Sequence, residues 1–258
     1  MTIRLPKVLV ADDDGAAVEV LRRYFTEPLV KTGYLRSGAR WDTWDSTGAR
    51  GRDADTFTAD DLVAVTMLSV DVSPDGAQIL LRERVDEFGE LLVAVGPDRD
   101  LADEADELTP ESPVCRLEAA LWTVPSIGRT VASKLIARKR PRLFPIYDRV
   151  IGEVLGTKQA HLEPVRTALR ADDGALQRRL VSLREQAGLD EAVPALRILT
   201  VLAWMQLKSP QRSGDDEFRA PARSIPVRRH SRDGGTHDDR VRPGPGVDAG
   251  GAGGRRGS

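Results

Sequence analysis

From residue 58 to 208 the apolar positions recur at helical rather than alternating spacing, and Pro, Gly and Ser break the pattern where turns belong. Thr58-Ala59-Asp60-Asp61 has the shape of a capping box. It opens a predicted helix, Ala59–Val70, that is apolar nearly all round, as a buried core helix is. Ser73-Pro74 starts a second helix, Asp75–Val95, with Ile79, Leu80, Val85, Phe88, Leu91, Leu92 and Val95 on its core side and Gly89 as the place to bend. Ser112-Pro113 repeats that start for Val114–Val124. A tight turn, Pro125–Gly128, leads into Arg129–Arg138, which Pro141 stops. Asp148 opens a helix that ends at Gly156, where a left-handed cap residue belongs. Three more helical segments follow, Ala160–Asp172, Ala175–Ala187 and the strongly apolar Val193–Lys208.

Ahead of this block, Ile3–Ala11 has the pattern of a strand, Ala16–Phe25 that of a helix, and Glu27–Thr56 that of a loop. After residue 208 Gly, Arg, Pro and Asp dominate and leucine disappears, so residues 209–258 are expected to be disordered. The chain therefore divides into an irregular appendage (1–56), an all-α domain (57–208) and a tail (209–258). The tail reads as a linker, as the out-of-frame translation of a GC-rich gene end, or as a nonspecific Arg/Gly nucleic-acid arm.

Charge adds a local feature to this outline. The net charge of −2 does not advertise a nucleic-acid binder. The tail carries ten Arg against seven acidic residues, a net +3, which leaves −5 for residues 1–208. Inside that acidic body Arg129, Lys134, Arg138, Lys139, Arg140, Arg142 and Arg149 stand against Asp148 alone. Such a cluster is either a phosphate-facing surface or a solvated helix end that favours cations. The six acidic residues from Asp98 to Glu107 must lie away from any DNA. The single cysteine, Cys115, excludes an internal disulfide and any four-Cys zinc or iron-sulfur site. No cofactor or metal is expected. No apolar run reaches the ~20 residues of a membrane span and no signal-peptide pattern opens the chain, so the default expectation is a cytoplasmic protein without membrane contact.

The stretch Val124-Pro125-Ser126-Ile127-Gly128, continued to Phe144-Pro145-Ile146-Tyr147-Asp148, resembles the helix-hairpin-helix base-excision DNA glycosylases, which have a Gly/Pro-rich loop and an aspartate twenty residues beyond the hairpin. The resemblance implies a helix-hairpin-helix fold and places the family's catalytic aspartate on Asp148. The lysine of its bifunctional members falls on Thr130, so lyase chemistry is not implied. Ser126 replaces the first hairpin glycine. The runs FTADDLVAVTMLSV and RKRPRLFPIYDRV are also similar to an uncharacterised bacterial family with no assigned activity. The opening KVLVADDDGAAVEVLRRYF looks like the start of a response-regulator receiver domain, but the phosphoacceptor position is then Thr66, which has no carboxylate.

If the glycosylase resemblance holds, the protein binds duplex DNA through the hairpin, with backbone N–H groups near Ser126 and Gly128 and the side chains of Arg129, Thr130, Lys134, Arg138, Lys139, Arg140 and Arg142 meeting phosphate. Tyr147 would line the pocket for a flipped base. Asp148 would stabilise cationic character on the sugar or activate a water, as in a monofunctional N-glycosidic hydrolase. Plainer readings stand beside these. Asp148 is a good N-cap, Tyr147 fills core, and Trp41 and Trp44 dock a loop rather than stack on bases. His161, a lone histidine in the folded region, reads as a surface or satisfied polar residue rather than a catalyst. The alternative function is a non-catalytic helical interaction or regulatory module.

Overall fold

The computed structural model describes residues 3–11 and 14–208; Asp12, Asp13 and the proposed tail lie outside the described residues. Ten helices and no strand occur among the described residues. The expected strand Ile3–Ala11 is the first correction. Pro6 precedes a single helical turn, α1 (Lys7–Val10), which buries Leu9. A strand needs a neighbouring ladder for its N–H and C=O groups. Here the Arg4 N–H bonds instead to the Leu155 carbonyl at 2.9 Å. The doubly wound sheet of a receiver domain is likewise missing among the described residues.

Local signals set most of the remaining boundaries. α2 (Gly15–Phe25) buries Val18, Leu21 and Phe25. α3 (Ala59–Thr66) starts with the capping box, in which the Thr58 N–H donates to Asp61 Oδ2 at 2.8 Å. It stops short of Val70 because Ser69 turns into the left-handed region at φ 59°. Ser73 caps α4 (Pro74–Gln78) by accepting from the Gly76 N–H. A π-helical turn (Ile79–Glu83) then breaks at Arg84 before α5 (Val85–Val95). The bend thus falls at Arg84 and not at Gly89.

α6 (Pro113–Trp122), α7 (Arg129–Lys139) and α8 (Arg149–Leu155) follow, and Gly156 caps α8 in the left-handed region at φ 73°. α9 (Leu162–Gln186) is interrupted from Ala171 to Gly174, where Asp172, Asp173 and Gly174 take positive φ. α10 (Ala195–Lys208) completes the order. α7 packs on α3 and α6, α6 packs on α5, and α10 packs on α2, α8 and α9. One cluster of buried apolar side chains runs from Ile3 to Met205, so residues of the N-terminal segment share a core with α3–α10. Trp41 is buried, and the Trp44 indole N–H donates to Asp60 Oδ1 at 2.9 Å; both dock the loop before α3. Among the described residues no helix is long and apolar enough to cross a membrane.

Candidate functional site at the elbow before α7

The elbow between α6 and α7 forms, and Ser126 takes the position that needs a left-handed backbone, at φ 67°. Its hydroxyl donates to Ser73 Oγ at 2.9 Å and accepts from the Ser73 N–H at 3.0 Å. The elbow is therefore sewn to the first turn of α4. A Cβ on Gly76 would stand 2.9 Å from the Pro125 carbonyl, so that approach requires glycine. Gly128 is the N-cap of α7, with open space where its Cβ would be and no side-chain cap bond. Arg129 does not reach outward. Its guanidinium lies 3.7 Å from the Tyr147 ring centroid and donates to the Lys158 carbonyl. Thr130 is half-buried, and its carbonyl accepts from the Ser133 hydroxyl at 3.1 Å.

Beyond the elbow, α7 departs from the surface helix its sequence suggests. Every residue from Ala132 to Arg140 is buried. A helix buried all round is ordinarily apolar all round. α7 and its C-cap instead carry four buried cations, Lys134, Arg138, Lys139 and Arg140, and each meets oxygens inside the protein. Lys134 Nζ donates to the Leu68 carbonyl at 2.7 Å, just past the C-terminal end of α3. The Arg138 guanidinium donates to Asp61 Oδ1 (3.3 Å) and to the carbonyls of Trp41 (3.2 Å) and Trp44. Lys139 pairs with Asp61 and donates to the Asp53 carbonyl at 3.0 Å. Arg140 spans Asp55 and the carbonyls of Ala54, Leu92 and Gly96.

Arg142, at the surface, is clasped by the acidic connector. It donates twice to Asp100, at 3.0 and 2.6 Å, and its backbone N–H donates to Asp98. The acidic run, expected to lie away from any DNA, thus sits against the end of the basic cluster. Of the predicted phosphate-binding side chains, Lys134, Arg138, Lys139 and Arg140 are inside the protein and Arg142 is ion-paired. Only Arg149, among the seven cations of this stretch, is exposed with neither a hydrogen bond nor an ion pair among the described residues.

Asp148 and Tyr147 are also committed. Asp148 is half-buried in an extended conformation, and its Oδ1 accepts from the Ile151 N–H at 2.7 Å, capping α8. Ser133 of α7 clamps the connector by accepting from the Tyr147 N–H at 3.0 Å. The Tyr147 ring is held among Arg129, the edge of His161 (centroids 5.2 Å apart) and Gly152, where a Cβ would come within 2.7 Å of the ring. His161 is a satisfied core residue. The Ile146 carbonyl can only accept, so Nε2 carries the proton, and Nδ1 accepts from the Thr157 hydroxyl at 2.7 Å. Burial, aided by the nearby Arg129 charge, pushes its pKa down to about 4.

Other titratable groups are shifted near this face, among them Lys134, Glu118 and Cys115. Burial lowers Lys134 to about 8, opposed by the charge of Asp148. Burial raises Glu118 of α6 to about 7, with Arg129 opposing. Burial and neighbouring carboxylates raise Cys115 to about 11, which keeps it a thiol.

The sequence reading missed a second polar cluster. Arg197 of α10 donates to Asp42 Oδ2 (3.2 Å), the Tyr24 hydroxyl (2.9 Å) and the Gly38 carbonyl (2.8 Å), all buried. Burial raises the Asp42 carboxyl, and Arg197 counters it. Beside this pair lies a hollow of about 10 Å³, room for about one water, lined by Trp41, Ala137, Phe144 and Thr200 among others. Neither the elbow residues nor Asp148 line it. Among the described residues no three His, Cys, Asp or Glu side chains group closely enough to hold a metal ion.

No curated protein and no solved structure matches the chain. Residues 17–207 match a family of unknown function, DUF6308, and the chain belongs to that family.

Proposed function

We propose that this protein is a non-catalytic helical binding module in which the residues that would do elbow chemistry in a base-excision glycosylase serve the fold instead. The observation that carries this reading is the inward direction of the α7 cations. Lys134, Arg138, Lys139 and Arg140 each take carbonyl or carboxylate oxygens, so they hold the loop before α3 rather than a phosphate backbone. A hydrolase also needs its carboxylate in front of a space large enough for a flipped nucleotide. Asp148 caps α8, and the ring of Tyr147, the expected pocket wall, is packed among side chains.

The test is base release from duplexes carrying uracil, hypoxanthine, or alkylated or oxidised purines. We expect no release above background from the wild type or from Asp148→Asn, which keeps an oxygen for the Ile151 N–H. Release by the wild type that Asp148→Asn abolishes would refute the module reading and restore the hydrolase. One observation favours a second reading, contact of the elbow with duplex phosphate: the first N–H groups of α7 have no side-chain cap, and Gly128 faces open space. Salt-sensitive duplex binding that weakens in Gly128→Val, with melting unchanged, would support it.

A further inference from the structure

Charge that α7 hides appears elsewhere on the molecule. From Arg22 to Arg40 the chain carries Arg22, Arg23, Lys31, Arg36 and Arg40 against Glu27 alone. Among the described residues none of these five cations forms an ion pair with a carboxylate. Lys31 and Arg40 are exposed and make no hydrogen bond among the described residues. Arg22 and Arg36 are anchored by single backbone contacts, to the Gln186 and Arg23 carbonyls, which leaves further N–H groups of each guanidinium uncommitted. The Nε of Arg23 is buried without a partner.

The same segment displays apolar surface. Val30 is fully exposed (105%) and Tyr34 is 74% exposed. The loop that carries them is closed on itself. The Leu29 N–H bonds the Tyr34 carbonyl and the Gly33 N–H bonds the Leu29 carbonyl, both at 2.8 Å, with Gly33 in the left-handed region at φ 71°. The ring is thus presented by a braced turn.

We propose that residues 22–40 form a binding surface for single-stranded nucleic acid. Cations without carboxylate partners, in the same segment as an exposed aromatic ring, supply the two contacts a single strand offers, charge for phosphate and a π-face for an unstacked base. A duplex hides its base faces and gives Tyr34 nothing to stack on. An acidic peptide would use the cations but not the ring. The proposal names a partner for the module and rests on that reading for its role, while the surface at residues 22–40 is drawn from observations apart from the elbow. Base release would overturn the module while leaving this surface standing, and loss of strand binding would do the reverse.

The experiment uses the full chain and a labelled twelve-nucleotide oligo(dT), read by fluorescence anisotropy from 25 to 200 mM salt. Every variant keeps the Arg-containing tail, so differences between variants report the loop. We expect salt-dependent binding, and Lys31→Ala/Arg40→Ala should weaken it and lower the log–log salt slope by about 1.4, roughly 0.7 for each phosphate no longer neutralised. Tyr34→Ala should weaken binding by roughly fivefold to a hundredfold, and Tyr34→Phe should restore it. All these positions are exposed, so melting should not change. The proposal is overturned if the wild type ignores the strand at 25 mM salt, if these variants bind like the wild type, or if duplex binds as tightly as the single strand. It is equally overturned if poly-glutamate binds at the loop and strand binding is indifferent to Tyr34→Ala, which assigns the surface to an acidic protein.

Discussion

Replacing Arg138 by Met tests whether the cations of α7 are structural. The Arg138 side chain is fully buried, and its guanidinium serves Asp61, Asp60 and the carbonyls of Trp41 and Trp44. Methionine fills similar apolar volume but leaves those carbonyls without their donor. Asp61 is not wholly orphaned, because Lys139 and the Thr58 N–H still reach it. Removing one partner of a buried ion pair costs about 3–5 kcal/mol. At roughly 2–4 °C per kcal/mol for a domain of this size, melting should fall by roughly 6–20 °C. Urea unfolding followed by tryptophan fluorescence reads the change, since Trp41 and Trp44 flank the site. Arg149→Ala is the control: that side chain is exposed and unpaired among the described residues, and the change should stay within about 0.5 kcal/mol. If Arg138→Met loses less than about 1 kcal/mol yet abolishes duplex binding, the inward reading of α7 is wrong.

Two further expectations concern pH. Glu118 has its folded pKa raised to about 7, so the folded protein holds a proton that the unfolded chain releases near pH 4.5. Stability should therefore fall as pH rises from about 4.5 to about 7, and Glu118→Gln should remove about 1–3 kcal/mol of that fall in urea titrations across the window, the upper end discounted for partial exposure. A wild-type curve parallel to that of the variant would refute it. For Lys134 the sign is opposite. Its folded pKa is lowered to about 8, so the cost of burying the charge is fully present below pH 8 and is relieved as pH rises towards 10.5. The wild type should gain about 2–3 kcal/mol relative to Lys134→Met over that interval, measured as a difference so that other lysines and tyrosines cancel.

Signals carried within a few residues were legible in the sequence. The capping box at Thr58, the Ser73-Pro74 start, the Asp148 cap and the left-handed Gly156 were each read from neighbours in the chain. Ser126 departs from the glycine the resemblance calls for, yet the turn forms with a serine at positive φ held by Ser73. The run KVLVA was misread because a short apolar stretch fits a strand or a buried helical turn equally well. The destinations of the α7 cations were not legible. Their partners lie far away in sequence, and an arginine written for solvent looks the same as one written for a buried carbonyl. The carboxylates at Asp53, Asp55, Asp60 and Asp61 were the available hint. Their charge nearly balances that of α7, but nothing local says that the two groups meet.

The docking of residues 41–61 onto α7 has a consequence for how the chain is made. Trp41 emerges 97 residues ahead of Arg138, the residue that holds its carbonyl. At roughly 5–20 residues per second of synthesis, the loop waits roughly 5–20 seconds for that anchor. During the wait its six aspartates repel one another and its tryptophans have no seat. A nascent chain halted before residue 138 should leave this segment open to protease, and the same segment should become resistant once α7 has left the ribosome.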